Sequence, residues 1–88
     1  SGRVLSSANM EKVRAALEAV QKGLESLQAL LEAAEGEPEP EKSTLLSEAE
    51  EEAAELETLV TTLKAENEGV DTKEAEKRIE AILDQLKK

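Results

Sequence analysis

The sequence predicts an all-α protein, an antiparallel up-down-up bundle of three helices in which the third helix is the shortest. Three stripes of apolar residues carry this prediction, because their alternating spacing of three and four places each stripe on one face of an α-helix. Glycine and proline separate the stripes, and such short connections make sequential helices antiparallel. The stripes are Met10, Val13, Leu17, Val20, Leu24, Leu27 and Leu31; Leu46, Ala49, Ala53, Leu56, Val60 and Leu63; and Ala75, Ile79, Ile82 and Leu86.

The first helix is predicted over residues 9–35. Asn9 or Ser7 can cap its start, since their side-chain oxygens accept hydrogen bonds from the unpaired backbone N–H groups of a first turn. Gly36 is expected to end the helix in the left-handed conformation, and the two prolines that follow prevent its continuation. The conformation of residues 1–8 is left open.

The second and third helices are predicted over residues 41–68 and 72–87. Gly69 is expected to end the second helix, and Asp71 is expected to cap the third. All three helices are assigned to one domain, residues 1–88, because a chain of 88 residues is too short for two hydrophobic cores.

Apolar residues beside the stripes predict how many neighbours each helix touches. On the first helix they widen the apolar arc enough for two partners, as bundle helices require. These flanking residues are Ala16, Gly23, Leu30 and Ala34 on the first helix, Leu45 and Leu59 on the second, and Leu83 on the third.

The short third helix leaves two alternatives for one end of the bundle: the end is open, or the first two helices splay or the third helix shifts so that the gap closes. At 1.5 Å per residue the third helix would be about 26 Å long, against about 40 Å for the first helix. It should end near Ala53, so that Leu17 and Ile79 lie where all three helices meet. Beyond that level two helices would leave an apolar surface half covered. That surface comprises Leu27, Leu30, Leu31, Leu45, Leu46 and Ala49.

Glu52 interrupts the apolar pattern of the second helix at this same level. It is either solvated, because the third helix has ended, or buried as a specificity device or binding site. Together with the six half-covered residues, Glu52 completes the predicted interface.

Composition argues against most kinds of chemistry. The net charge of −10 repels phosphate backbones and anionic lipids, so we expect no nucleic-acid or membrane partner. Histidine, cysteine and aromatic residues are all absent, which removes the imidazole base, the thiolate and the usual zinc ligands. We expect no enzyme activity, no cofactor, no metal and no small-molecule substrate, and cellular location stays undetermined.

The Glu-, Ala-, Leu- and Lys-dominated helices, the Gly36-Glu37-Pro38 and Gly69-Val70-Asp71 connections and the leading Ser1-Gly2 resemble a computationally designed helical bundle. Natural three-helix modules of the spectrin or talin kind are the alternative. The resemblance is one of style over the whole chain, so it transfers no functional residue. Designed bundles of this size are made as protein binders, assembly parts or folding tests.

Two functions from different classes remain. In the first, the chain is an interaction module whose apolar surface on the first two helices receives a helical protein segment or a second copy of the chain. In the second, it is a structural scaffold or folding design with no partner.

Overall fold

The computed structural model describes residues 7–67 and 69–87, with side chains from residue 9 onward. It contains three helices, α1 (Ser7–Glu35), α2 (Glu41–Glu66) and α3 (Lys73–Leu86), of 29, 26 and 14 residues. The prediction of an all-α three-helix bundle with a shorter third helix is therefore confirmed. Residues 1–6, which the sequence leaves open, lie outside the described residues, as do the side chains of residues 7 and 8.

The end of α1 differs from the prediction. Gly36 does not adopt the left-handed conformation, which Gly69 alone adopts among the described glycines. The Gly36 and Glu37 N–H groups instead donate to the carbonyls of Ala33 and Ala34, each three residues back, at 3.2 Å. This tightened last turn satisfies two orphan carbonyls without a left-handed residue. At the other end Asn9 lies inside α1, which begins by Ser7, and so does not cap it.

A glutamate caps α2. The Oε1 atom of Glu39 accepts hydrogen bonds from the Ser43 N–H at 2.9 Å and from the Ser43 hydroxyl at 2.6 Å. These two bonds, the hydroxyl bond foremost, hold the pKa of the Glu39 carboxyl below its usual value, because both stabilise the charged form. Negative charge at this position also suits the positive end of the helix dipole.

The connection from α2 to α3 follows the prediction in part, since α2 ends before Gly69 and Thr72 is the residue that precedes α3. Helix α2 ends at Glu66 because Asn67 adopts an extended conformation, φ −134° and ψ 98°, while its backbone N–H and side-chain amide both donate to the Leu63 carbonyl at 3.1 Å. Gly69 then adopts φ +86°, the left-handed conformation that favours glycine. Asp71 Oδ1 accepts a hydrogen bond from the Lys73 N–H at 3.1 Å at the start of α3.

The three helices do not pack as a symmetric triangle. Helices α1 and α2 form an extensive antiparallel pair, α3 packs on α2, and α3 touches α1 at only a few points. The core consequently lies mostly between α1 and α2. Its buried members are Val20, Leu24, Leu27, Leu31, Ala49, Ala53, Leu56, Val60, Ile79 and Ile82.

The core beneath the end of the bundle near the proline turn is closed, which is one of the two arrangements that the sequence leaves open. Leu27 and Ala49 are 0% exposed and Leu31 is 8% exposed, so the expectation that these three would be half covered is wrong. Alanines at positions 34, 49 and 53, all buried, let the two helices approach closely enough to cover the leucines without a third helix. Leu30, Leu45 and Leu46 are half-buried, as expected.

Leu17 is more exposed than the sequence predicts. It is only half-buried, whereas Ile79, assigned to the same three-helix level, is buried as expected. The cause is the position of α3, which leans on α2 and leaves this flank of α1 uncovered.

Within the described part of the chain, no helix combines the length and the apolar character needed to cross a membrane.

Candidate interaction surface

Helix α3 occupies one side of α2. The groove between these two helices is lined from α2 by residues 57, 58 and 60–62 and from α3 by residues between Glu76 and Lys87. Across it Lys64 Nζ lies 2.8 Å from Glu76 Oε1. The Lys64 ammonium lowers the pKa of the Glu76 carboxyl by this hydrogen bond, and because both groups are solvent-exposed the pair contributes little stability.

No described helix lies on the opposite side of the α1–α2 pair. Leu59 and Leu63 of α2 line a shallow depression there with Val13 and Ala16 of α1, and no described residue of α3 contributes to its lining. On α2, Leu59 and Thr61 point about 200° apart at 100° per residue, so Leu59 faces away from the α3 side.

Two heptad rows run along this side and form the surface that we call the α1–α2 groove. Each row repeats every seven residues, so its members stack two helical turns apart on nearly the same face. All six are half-buried, as expected for the walls of a groove. The rows are Ala16, Gly23 and Leu30 on α1 and Leu45, Glu52 and Leu59 on α2.

The position of these rows shows which side of the bundle the flanking apolar residues occupy. The sequence predicts that such residues on α1 widen its apolar arc enough for two partners. In the structure the α1–α2 groove faces away from α3, because α3 contacts α2 along the Thr61 side instead. The apolar flanks are therefore real, but the third helix does not cover them.

The antiparallel packing sets the rows level with each other. Ala16 lies beside Leu59 in the depression described above. Seven residues further along α1 and seven residues back along α2, Gly23 is level with Glu52, and the next step brings Leu30 level with Leu45. The groove thus has three levels, with two apolar levels on either side of a central glycine and carboxylate.

Gly23 fixes the distance between the two helices at the central level. A Cβ atom placed on Gly23 would overlap Leu56 Cδ2 and lie 3.1 Å from Leu56 Cγ. Leu56 is buried and cannot move aside freely. The absence of a side chain at Gly23 therefore lets α2 pack against the α1 backbone.

Glu52 is a half-buried carboxylate with no partner in the described part of the chain. Its side chain makes neither a hydrogen bond nor an ion pair there. It stands between two half-buried leucines of its own row, Leu45 and Leu59. It is therefore still hydrated in the isolated chain, and any group that covers it must replace that hydration.

The α2 rim of the groove is acidic. Four further glutamates follow the Glu52 row on the exposed side of α2, whereas the α1 rim consists largely of alanine and serine with one lysine near the end. Like charges in a row focus a negative potential along one wall. The rim residues are Glu41, Glu48, Glu55 and Glu66 on α2 and Lys12, Ala19, Ser26 and Ala33 on α1.

The structure brings together three of the seven predicted interface residues, Leu30, Leu45 and Glu52, in the α1–α2 groove. Leu27, Leu31 and Ala49 lie buried beneath it, in the core between α1 and α2. Leu46 is half-buried and packs against that core. The groove also contains residues that the predicted interface omits, namely Ala16, Gly23 and Leu59, whose seven-residue spacing was the available signal.

A second apolar surface lies on α1 alone. We call it the α1 strip, and it consists of Met10, Val13 and Leu17 with Arg14, Glu18 and Gln21 beside them. Met10 is 52% exposed, which makes it the one large hydrophobic residue on the surface among those described. The strip is flat and belongs to a single helix, so it offers less to hold a partner than the two-walled α1–α2 groove.

Nothing in the described residues suggests catalysis or metal binding. No group of three or more carboxylates converges on a point where a metal ion could sit, within the residues searched. The acidic side chains point outward along α2, as their exposure shows.

We expect Glu52→Leu to leave the free energy of unfolding unchanged or to raise it by up to about 1 kcal/mol. A hydrated carboxylate contributes little there, whereas a leucine adds apolar contact with Leu56 one turn away. Urea melts of Glu52→Leu measure this, with Glu55→Leu on the exposed rim as the matched control. A loss of more than about 2 kcal/mol would show that Glu52 is buried with a partner.

Comparison of the sequence with protein-family models finds no match, and comparisons with curated proteins and with solved structures find none either.

Proposed function

We propose that this chain is a non-catalytic protein-interaction module that binds an amphipathic α-helix of a partner protein in the α1–α2 groove. The observation that carries the proposal is the pair of half-buried heptad rows on the side of the bundle that α3 does not cover. In a closed bundle such rows would be buried by a neighbouring helix. Here they present apolar walls to solvent.

A helix is the occupant that fits this surface. The groove runs along two antiparallel helices, and its walls repeat every seven residues, which is the spacing of an apolar stripe on a docked helix. From Ala16 to Leu30 the row is about 21 Å long at 1.5 Å per residue. A partner segment of four helical turns matches that length.

Charge favours a basic partner over a second copy of this chain. The acidic α2 rim attracts lysine and arginine beside the partner's apolar stripe. A second copy carries the same net charge of −10, and grooves facing each other would bring two rows of glutamates together.

One observation favours the alternative function, a structural scaffold with no partner. The burial of Leu27, Leu31 and Ala49 shows that α1 and α2 complete their own core without help. A scaffold needs no more than this. The binding experiment below distinguishes the two functions.

The experiment uses a three-heptad helical peptide with an apolar stripe, lysines on its flanks and one tryptophan. Because this chain has no aromatic residue, the peptide tryptophan is the only fluorophore, and its spectrum reports binding directly. We expect saturable binding by the full chain and none with a peptide of the same composition whose stripe is scrambled.

The matched variants carry the same two charges on different surfaces. Leu30→Glu with Leu45→Glu places them in the groove and should abolish binding while circular dichroism shows an intact fold. Met10→Glu with Leu17→Glu places them on the α1 strip and should leave binding unchanged. Loss of binding only in the α1-strip variant would contradict the groove as the site.

Two further results would contradict the proposal. If the unmodified chain binds no amphipathic peptide, or if the groove variant unfolds as severely as a core truncation, the scaffold function is correct. Sedimentation of the chain alone, across concentration, tests self-association. A concentration-dependent dimer that the groove variant disrupts would make a second copy the occupant.

A further inference from the structure

We infer that the helix bound in the α1–α2 groove carries a lysine or arginine within its apolar stripe, and that Glu52 pairs with this cation. The inference rests on the proposed function and specifies its partner. It concerns the central level of the groove, where Glu52 lies one turn along α2 from Leu56, the residue that meets Gly23 of α1.

The first argument is the desolvation of Glu52. A helix lying along Leu45 and Leu59 must cover the residue midway between them, since the three occupy one row. A carboxylate covered by apolar groups without a partner loses hydration that nothing replaces. A cation on the docked helix replaces it with a charge-assisted hydrogen bond.

The second argument is that none of the described residues gives Glu52 a counter-charge. Its neighbours one turn away on the exposed side of α2 are Glu48 and Glu55, of the same sign. Across the groove Gly23 has no side chain, and the adjacent Lys22 is exposed on the back of α1, about 100° further round the helix. We therefore place the cation on the partner.

Glu52 thereby selects among amphipathic helices. A stripe with leucine at its centre buries the carboxylate unpaired, and a stripe with glutamate adds repulsion. Leu45 and Leu59 each lie two turns from Glu52 along α2. A bound helix must therefore place its cation two turns from an apolar residue on each side, so the Glu52–cation pair also fixes the register of the bound helix.

The test uses three tryptophan-containing peptides that differ only in the central residue of the stripe, which is lysine, leucine or glutamate. For the full chain we expect the lysine peptide to bind about tenfold more tightly than the leucine peptide, and the glutamate peptide to bind most weakly. In Glu52→Gln the ratio of lysine to leucine affinities should fall to within about threefold. In Glu52→Lys the glutamate peptide should bind best.

Glu55→Gln is the matched control, because it removes the same charge from the rim outside the row. It should weaken all lysine-flanked peptides alike and preserve the ratio of lysine to leucine affinities. If that ratio is the same in Glu52→Gln as in the unmodified chain, the inference is wrong while the proposed function stands. If no peptide binds the unmodified chain, both are wrong.

Discussion

Replacement of Leu27 by alanine is expected to lower the free energy of unfolding by about 2–5 kcal/mol, whereas the same replacement at Leu17 should lower it by about 1 kcal/mol. Both leucines belong to the same apolar stripe of α1. Leu27 is 0% exposed, so its truncation leaves a cavity between α1 and α2, whereas Leu17 lies half-buried on the α1 strip. Chemical denaturation followed by circular dichroism measures both values.

This pair of variants discriminates between two arrangements of the helices. A bundle whose third helix covers Leu17 and whose other end is open, the first of the two arrangements that the sequence leaves open, would make Leu17 the costlier truncation and Leu27 the milder one. Equal losses, or a larger loss at Leu17, would contradict the packing of α3 on α2 described above. Leu24→Ala is a second core truncation, since Leu24 is only 1% exposed, and should resemble Leu27→Ala.

Gly23→Leu is expected to lower the free energy of unfolding by about 1–3 kcal/mol, although leucine is a better helix former than glycine. The new side chain would begin where Leu56 already lies, so α1 and α2 must separate at the central level of the groove. Ala29→Leu, at an exposed position on the same helix, should change stability by less than about 0.5 kcal/mol.

Truncation of Leu56, the side chain that faces Gly23, tests whether steric overlap causes this loss of stability. In a double-mutant cycle, Leu56→Ala should reduce the loss caused by Gly23→Leu, because it removes the atoms that overlap. Independent, additive losses, or a Gly23→Leu variant more stable than the original, would show that the two helices do not meet closely at this level.

The sequence predicts the helices well because their signals are local. Apolar spacing, prolines and glycines act within a few residues, and the observed ends of α2 and α3 lie within two residues of the predicted ones. Gly69 adopts the left-handed conformation within the connection, but α2 already ends at Glu66. Gly36 does not adopt this conformation, because a tightened last turn satisfies the same carbonyls.

The packing partners of each face are not local and were predicted less well. Leu17 and Leu27 belong to one stripe, but Leu27 is buried between α1 and α2, whereas Leu17 is half-buried because α3 packs on α2 and contacts α1 little. The small residues Ala34, Ala49 and Ala53 were the available sign that α1 and α2 could close their own end.

The sequence predicts only part of the candidate site, because the rest depends on packing between distant parts of the chain. Glu52 is conspicuous as a break in an apolar pattern, and Leu30 and Leu45 flank the core stripes, so all three could be identified from the sequence. Assigning Gly23 and Leu59 to the same surface requires knowing which side of α2 the third helix occupies, and that depends on contacts between distant parts of the chain.

The most direct test of the groove as a binding site is the response of two glycine amides to the lysine-centred peptide in a two-dimensional ¹H–¹⁵N correlation spectrum. Glycine signals are few in this chain of four glycines, and Gly23 lies at the centre of the groove while Gly69 lies in the α2–α3 connection. We expect the Gly23 amide to shift in proportion to bound peptide and the Gly69 amide to stay in place. A shift of Gly69 with an unmoved Gly23 would contradict the account.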